Sequence, residues 1–490
     1  MISSDENRRI PTEIYQFFMN PGGHSLILRG NAGTGKTTFA LQTIEDLAQV
    51  ENSFYFSMRV SDHSLITQFP WLTEKLMPAG GTADLSARKE DVAGKHRAGL
   101  SKLKGIGMQS IGSAKKEMSV MIGKDLGDLE HVYDVVEGSF PARSLIIIDS
   151  IDAMAERYSM SCSSLITAIQ KDLVEGYGSN VLFVLENNET KLDYLGDGVI
   201  ILGLADYQLR RIREIDILKL RGCEIAQPKY LFTLKTSRIQ TFANLWENEI
   251  KHQEMWKPVQ DVAGKVSFGL TDLDRLMRGG MEKGSMTLIE LGHGIPTAIS
   301  GTLERAMVAN FVSLNRGVFW LPTRKTSAES AKNQMVGLLA KEQFEKNVRI
   351  PELAAQMEVS GAPYVMAVEG SSPASDYKWK SISYALGNAE APFLSLIGFD
   401  SLESIYGDKV MDQITDHLAA IKRNNGIFVG IASPSTKSTQ RLADLANLHI
   451  KVERIGGTVV LFGEEPFTEC NALAVETRER GGNISLTPIV

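Results

Sequence analysis

Cysteine is scarce in this sequence: three residues in 490, Cys162, Cys223 and Cys470. The number is odd and the spacing too wide for paired metal ligands, which argues against a disulfide framework and fits a reducing cytoplasm. Long apolar runs are missing as well, none approaching the roughly 18 residues that cross a bilayer. The N-terminus, MISSDENRRI, has no apolar core of a secretory signal. Neither a membrane span nor export is therefore expected. Positive charge is not in excess either, since 52 Lys and Arg face 59 Asp and Glu for a formal net charge of −7. Such a balance argues against a surface coated for nucleic acid, though it leaves local patches open.

What remains is an ordinary globular composition, 43% hydrophobic and 23% charged, on a chain too long for one core. Two domains are expected, 1–250 and 251–490, joined within Asn244 to Gln260. In the first half, continuously apolar runs (SLILRG from Ser25, SFYFSM from Ser53, SLIIID from Ser144, NVLFVL from Asn180) alternate with helical patterns. Runs of that kind suit strands buried on both faces of a parallel sheet. After the first run, Ala40, Ile44, Leu47 and Ala48 recur with helical spacing. Farther on, GVIIL, EIDILKL and YLFTLK are separated by polar turns and predict an antiparallel extension. An insertion near 72–139 interrupts the alternation, and its stretch from Ala87 to Lys124 is rich in glycine and basic residues. It reads either as a solvated excursion or as an electrostatic patch for a partner.

The second half repeats the order. SMTLIEL from Ser285, GVFWL from Gly317, FLSLIGFD from Phe393, GIFVGI from Gly426 and TVVLFG from Thr458 are its expected strands. Two local matches support the repeat: FYFSMRVS (Phe54 to Ser61) against FWLPTRKT (Phe319 to Thr326), and IIIDSIDAM (Ile146 to Met154) against LIGFDSLESI (Leu396 to Ile405).

Between the first strand and its helix, Gly30-Asn31-Ala32-Gly33-Thr34-Gly35-Lys36-Thr37 fits the pattern G-x-x-x-x-G-K-[ST] in full, with Thr38 following. Glycines let successive backbone N–H groups face a triphosphate, and the helix N-terminus adds its positive dipole end. In this pattern Lys36 reaches the β and γ phosphates of ATP and Thr37 ligates Mg²⁺. Asp149, closing a buried strand, is the expected second metal partner, with Asp152 a weaker candidate. The second half has TLIELGHGIPTAIS at the matching place, where Thr297 or Ala298 stands for the lysine. No lysine occurs between Lys283 and Lys325, and Pro296 removes one N–H from the curve.

These residues resemble the RecA-like ATPases, and more narrowly the KaiC group. LDYLGDGVIIL followed by RRIREIDILKLRG is similar to that group's D-G-V-I-x-L strand and K-x-R-G ending, and GLTDLDRLMRGGMEKGSMTLIE to its lead-in to a phosphate loop. The intact first loop, YFSMRVS, PTRKTS and the GEEPFTE to LTPIV ending most resemble the gas-vesicle regulator family GvpD. The resemblance implies an α/β fold of tandem RecA-like, KaiC-like P-loop domains with mostly parallel central sheets, helices on both faces and a degenerate second domain. It also implies a homo-oligomer or ring, in which Lys219 and Arg221 reach the γ-phosphate of the neighbouring subunit, and a transcription-regulatory protein partner. One departure bears on chemistry: the glutamate pair that prepares water in the KaiC group is replaced by Met58-Arg59, with Glu186 a substitute candidate. Arg59 and its counterpart Arg324 are open between a nucleotide contact and a surface salt bridge.

Three functions fit: a regulatory ATP-binding protein with slow hydrolysis, a RecA-type nucleic-acid-handling enzyme, or a scaffold that holds ATP without cleaving it. The second would use the basic insertion with Arg210, Arg211 and Arg213 as its track. Overall acidity and the few aromatics within the basic segment weigh against it.

Overall fold

The computed structural model describes residues 9–47, 52–58, 60, 62–72, 120–123, 133, 136–137, 143–186, 190–243, 255–323, 326–354, 361–377, 390–407, 410–476 and 483–490. The basic segment from Ala87 to Lys124, apart from 120–123, lies outside the described residues, as do Arg59, Arg324 and most of the expected join. The chain divides into two compact units, Met1–Ala243 with Val490, and Asn244–Ile489.

In the first unit the strands are β1 (Ser25–Arg29), β2 (Asn52–Ser57), β3 (Val120–Gly123), β4 (Ser144–Asp149), β5 (Asn180–Val184), β6 (Gly198–Tyr207), β7 (Arg210–Leu220), β8 (Lys229–Thr233) and β9 (Gln240–Phe242). Among the described residues they form one sheet in the order β3-β2-β4-β5-β1-β6-β7-β8-β9. Pairing is parallel from β3 through β6 and antiparallel from β6 through β9. Strand β1 is buried along its whole length, which explains its unbroken apolar sequence: a central parallel strand has helices over both faces. The helix that follows, α1 (Lys36–Leu47), buries Ala40, Ile44 and Leu47. Strand β6 runs past the apolar GVIIL to Tyr207. Its partner β7 starts four residues before EIDILKL, and the two pair out to Tyr207 and Arg210. Neither extension is continuously apolar, because a two-stranded ribbon with polar residues does not carry the signature of a buried strand.

In the second unit the strands are β10 (Met286–Leu291), β11 (Arg316–Leu321), β12 (Val348–Leu353), β13 (Val365–Val368), β14 (Glu390–Gly398), β15 (Ile427–Ala432), β16 (Leu448–Ile455), β17 (Thr458–Glu465), β18 (Asn471–Glu476) and β19 (Asn483–Pro488). Their order is β13-β12-β11-β14-β15-β10-β16-β17-β18-β19. From β11 to β19 this repeats the order β2-β4-β5-β1-β6-β7-β8-β9 of the first unit, with the change to antiparallel pairing falling at the same place. Strand β16, LHIKVERI, is not among the expected strands, although its apolar Leu448, Ile450 and Val452 alternate with His449, Lys451 and Glu453 as in a half-buried strand. Asp400, expected at a strand end, sits instead in the first turn of a helix, Phe399–Tyr406, just beyond β14.

Candidate functional site

The phosphate-loop sequence lies between β1 and α1, at the C-terminal edge of the parallel part of the sheet. Gly33 and Gly35 adopt φ of 81° and 101°, a region that residues with a Cβ rarely occupy. A Cβ on Gly30 would collide with the Leu202 carbonyl oxygen of β6, so the loop lies directly against that strand. Asn31, Ala32 and Gly33 are exposed, while Thr34 and Thr38 are buried. The Thr34 hydroxyl donates to the Asn31 carbonyl at 2.9 Å and closes the turn.

Lys36 folds back into the loop, donating to the Gly30 carbonyl at 2.6 Å and the Asn31 carbonyl at 3.0 Å. Burial lowers its pKa, opposed by the charges of Glu186, Asp149 and Asp152. Thr37 donates to Asp149 Oδ2 at 2.7 Å. That uses the hydroxyl proton and leaves the oxygen lone pairs for a cation. The same Oδ2 accepts the Tyr55 hydroxyl at 2.7 Å. Burial, then the Asp149 charge and hydrogen bond, raise Tyr55 well above the ordinary phenol value, so it remains a neutral donor. Glu186, just beyond β5, accepts from Ser150 at 3.3 Å, and its backbone N–H donates to Asp152 at 2.7 Å. Lys36, Thr37, Asp149, Asp152 and Glu186 are thus gathered in one place from three strand ends.

Lys219 and Arg221 are not part of that cluster. Lys219 pairs in register with Val199 near the start of β6, toward the sheet edge opposite the loop. Its ammonium donates to the Asp193 carbonyl at 3.2 Å, and burial first, then Arg221, lower its pKa. Arg221 pairs with Asp197 at 3.0 Å. Two other residues do reach the loop region, and sequence reasoning missed both roles. Arg213, pictured above as part of a nucleic-acid track, donates to the Gly33 and Thr34 carbonyls at 3.1 and 3.4 Å. Tyr55 reads as one more apolar strand residue, and nothing in the sequence marks its hydroxyl. Met58 stands where the water-preparing glutamates were expected; its N–H donates to the Asp149 carbonyl at 2.9 Å, and its side chain packs on the apolar core.

The residues present fit ATP with Mg²⁺. Glycines at positive φ in the turn, a partly desolvated lysine held on loop carbonyls, and a hydroxyl-carboxylate pair form a donor set suited to phosphate and a hard cation. Among the described residues no cluster of three or more His, Cys, Asp or Glu could hold a metal by itself.

The second unit has a turn at the matching place, but with a different backbone, in which Gly294 alone of 292–296 has a positive φ, 72°, and different chemistry. Gly292 follows the last paired residue of β10 as Gly30 follows that of β1, which places Ala298 at the position of Lys36. The Gly292 N–H is bound to the Val452 carbonyl at 2.8 Å. Pro296 precedes helix α2 (Thr297–Ser313) without a side-chain cap. Within that helix Glu304 is only 3% exposed and accepts the Trp320 indole N–H at 2.8 Å. Burial raises its pKa from 4.5 to about 7; hydrogen bonds from Trp320 and Thr323 oppose the shift and Asp400 adds to it. For a carboxyl group shifted this way, the folded state holds a proton that the unfolded chain has released. Stability from this group is therefore intact below about pH 4.5, declines as pH rises toward 7 and is constant above it. Glu304→Gln, which keeps an oxygen for Trp320 but cannot ionise, is expected to stabilise the chain by about 3 kcal/mol at pH 8.5. Near pH 4.5 the gain should vanish. Denaturant unfolding across that range is the check, and a gain independent of pH would refute the assignment.

Comparison with known proteins gives matches to two family models and to individual proteins. The family model described as "GvpD gas vesicle protein, P-loop domain" matches residues 14–218, and that described as "GvpD basic region 2" matches residues 255–358. Protein GvpD2 of Halobacterium salinarum is 24% identical, the alignment covering 98% of this chain and 96% of that protein; Protein GvpD1 of the same organism is 21% identical over the same shares. The circadian clock oscillator protein KaiC of Thermostichus vulcanus is 24% identical over 63% of this chain and 56% of its own length. Together with the strand orders, these likenesses make the fold a pair of tandem RecA-like units. Among the described residues no helix is long and apolar enough to cross a membrane.

Proposed function

We propose that this chain, which belongs to the GvpD family of KaiC-like P-loop proteins, is a nucleotide-dependent switch: ATP with Mg²⁺ in the first unit controls assembly or the binding of a transcription-regulatory partner. The observation that carries this reading is the Thr37–Asp149 hydrogen bond of 2.7 Å beneath a loop whose lysine is already seated on its carbonyls. Loop amides and the Lys36 ammonium would grip the triphosphate, and Thr37 and Asp149 would hold the cation side. A bound Mg²⁺ would neutralise charge between the β and γ phosphates.

Hydrolysis in this reading is slow, because the strand end that would prepare water carries Met58 and no carboxylate, while a general base has to lie within hydrogen-bond reach. Glu186 is the candidate that orients water or senses the γ-phosphate. Lys219 and Arg221 act on a neighbouring copy's nucleotide in a homo-oligomer or ring, which agrees with their placement away from the loop of their own subunit. The second unit, with Ala298 in place of a lysine, serves as a structural or regulatory module rather than a second ATP site.

Mass measurement in parallel with phosphate release, with and without ATP and Mg²⁺, tests this. The expected result is a shift to a larger species with ATP and Mg²⁺ and turnover far below the median enzyme rate of about 10 s⁻¹. An unchanged mass with rapid, nucleic-acid-stimulated turnover would instead indicate a nucleic-acid-handling enzyme. Tight binding without any change of mass or any turnover would indicate a passive scaffold.

A further inference from the structure

Strand β2 supplies a different group to this site in place of the missing carboxylates. Tyr55 is 1% exposed, and its hydroxyl lies 2.7 Å from Asp149 Oδ2, the oxygen that also accepts Thr37 at 2.7 Å. A carboxylate oxygen has two good acceptor directions, and both of those on Oδ2 are occupied. The other oxygen, Oδ1, is left for the cation's water shell. The residue that follows β2 also holds Asp149 by its backbone, through the Met58 N–H to the Asp149 carbonyl at 2.9 Å. Main chain and carboxyl plane of Asp149 are thus both fixed, from β2 and the residue that follows it. Without the phenol, the carboxyl group would keep, among the described residues, only the Thr37 hydrogen bond and could rotate, exchanging its two oxygens.

We propose that Tyr55 is a positioning residue for the metal side of the nucleotide site, acting through Asp149. The inference rests on the nucleotide reading given above and adds to it how the metal partner is held. Tyr55 serves as donor only, since its burial beside a carboxylate disfavours the phenolate. It accordingly stiffens the site without supplying the base that hydrolysis needs. The combination favours a long-lived bound nucleotide.

The test uses the full chain carrying Tyr55→Phe, which keeps the ring and removes the hydroxyl. Affinity for a fluorescent ATP analogue is measured first in EDTA and then across a Mg²⁺ titration, with Mn²⁺ electron paramagnetic resonance as a second readout of the cation. Metal-free affinity is expected to match wild type, and the Mg²⁺ concentration at half-effect to rise roughly 10-fold or more, as when partners of metal-site carboxylates are removed. In an Asp149→Asn background the same change is expected to add nothing. An unaltered Mg²⁺ titration, or a full additional shift on top of Asp149→Asn, would overturn the inference. So would a loss of melting temperature unaccompanied by any metal effect, because that is what a merely structural hydroxyl produces. Should wild type show no Mg²⁺-dependent nucleotide binding, the nucleotide reading falls together with this one; normal wild-type binding with an unaffected Tyr55→Phe removes this one alone.

Discussion

Lys36→Ala is expected to weaken ATP binding by roughly 30-fold to several thousand-fold and to abolish any ATP-dependent change of mass. The range follows from truncating one side of a desolvated, hydrogen-bonded charge pair, about 2–5 kcal/mol. The structure favours a large value because the ammonium is already partly desolvated and held by two loop carbonyls. Binding would exchange those carbonyls for phosphate with little further dehydration. Titration with a fluorescent ATP analogue and sizing of the same samples are the measurements. Unimpaired assembly of the variant in ATP would refute the switch. The folded chain should tolerate the change, since Lys36, at the first position of α1, directs its ammonium to loop carbonyls and is not part of the apolar core.

The second large effect is expected from Lys219→Ala combined with Arg221→Ala. ATP affinity should remain within about twofold of wild type while turnover falls by roughly 10³-fold, as for the loss of a cation supplied in trans to a transferring phosphoryl group. Little stability should be lost: Arg221 is 63% exposed in its pair with Asp197, and exposed ion pairs contribute at most about 1 kcal/mol. A mixing experiment gives the sharper test. Subunits carrying Lys36→Ala lack a working loop but keep both cations, whereas the double variant keeps the loop and lacks the cations. Mixed together, they should recover part of the turnover, as one subunit completes the other's site. No recovery, or an affinity loss as deep as that of Lys36→Ala, would show that Lys219 and Arg221 act within their own subunit or not at all.

Much of the first unit was legible in the sequence because central parallel strands are apolar throughout and glycine-rich turns are punctuated. SLIIID proved to be β4 to the residue, Ser144–Asp149. The juxtaposition of Thr37 with Asp149, 112 residues apart, followed from the rule that chemistry collects at the C-terminal edge of such a sheet. Strand β16 lacks the continuous apolar run of its neighbours: Leu448, Ile450 and Val452 alternate with His449, Lys451 and Glu453, the period-two pattern of a strand with one polar face, which an expectation built on unbroken apolar runs passes over. The pairing of Tyr55 with Asp149 was not legible, as a tyrosine in an apolar run does not announce the direction of its hydroxyl.

By itself the sequence determined which unit carries a phosphate loop and which does not, because backbone curvature and the lysine charge are properties of eight consecutive residues. Only the tertiary structure decided which side chains surround that loop. Arg213 reaches it and Lys219 does not, although both lie on β7. The reason is register: β7 runs antiparallel to β6, so six residues along it carry a side chain from the loop edge of the sheet toward the opposite one.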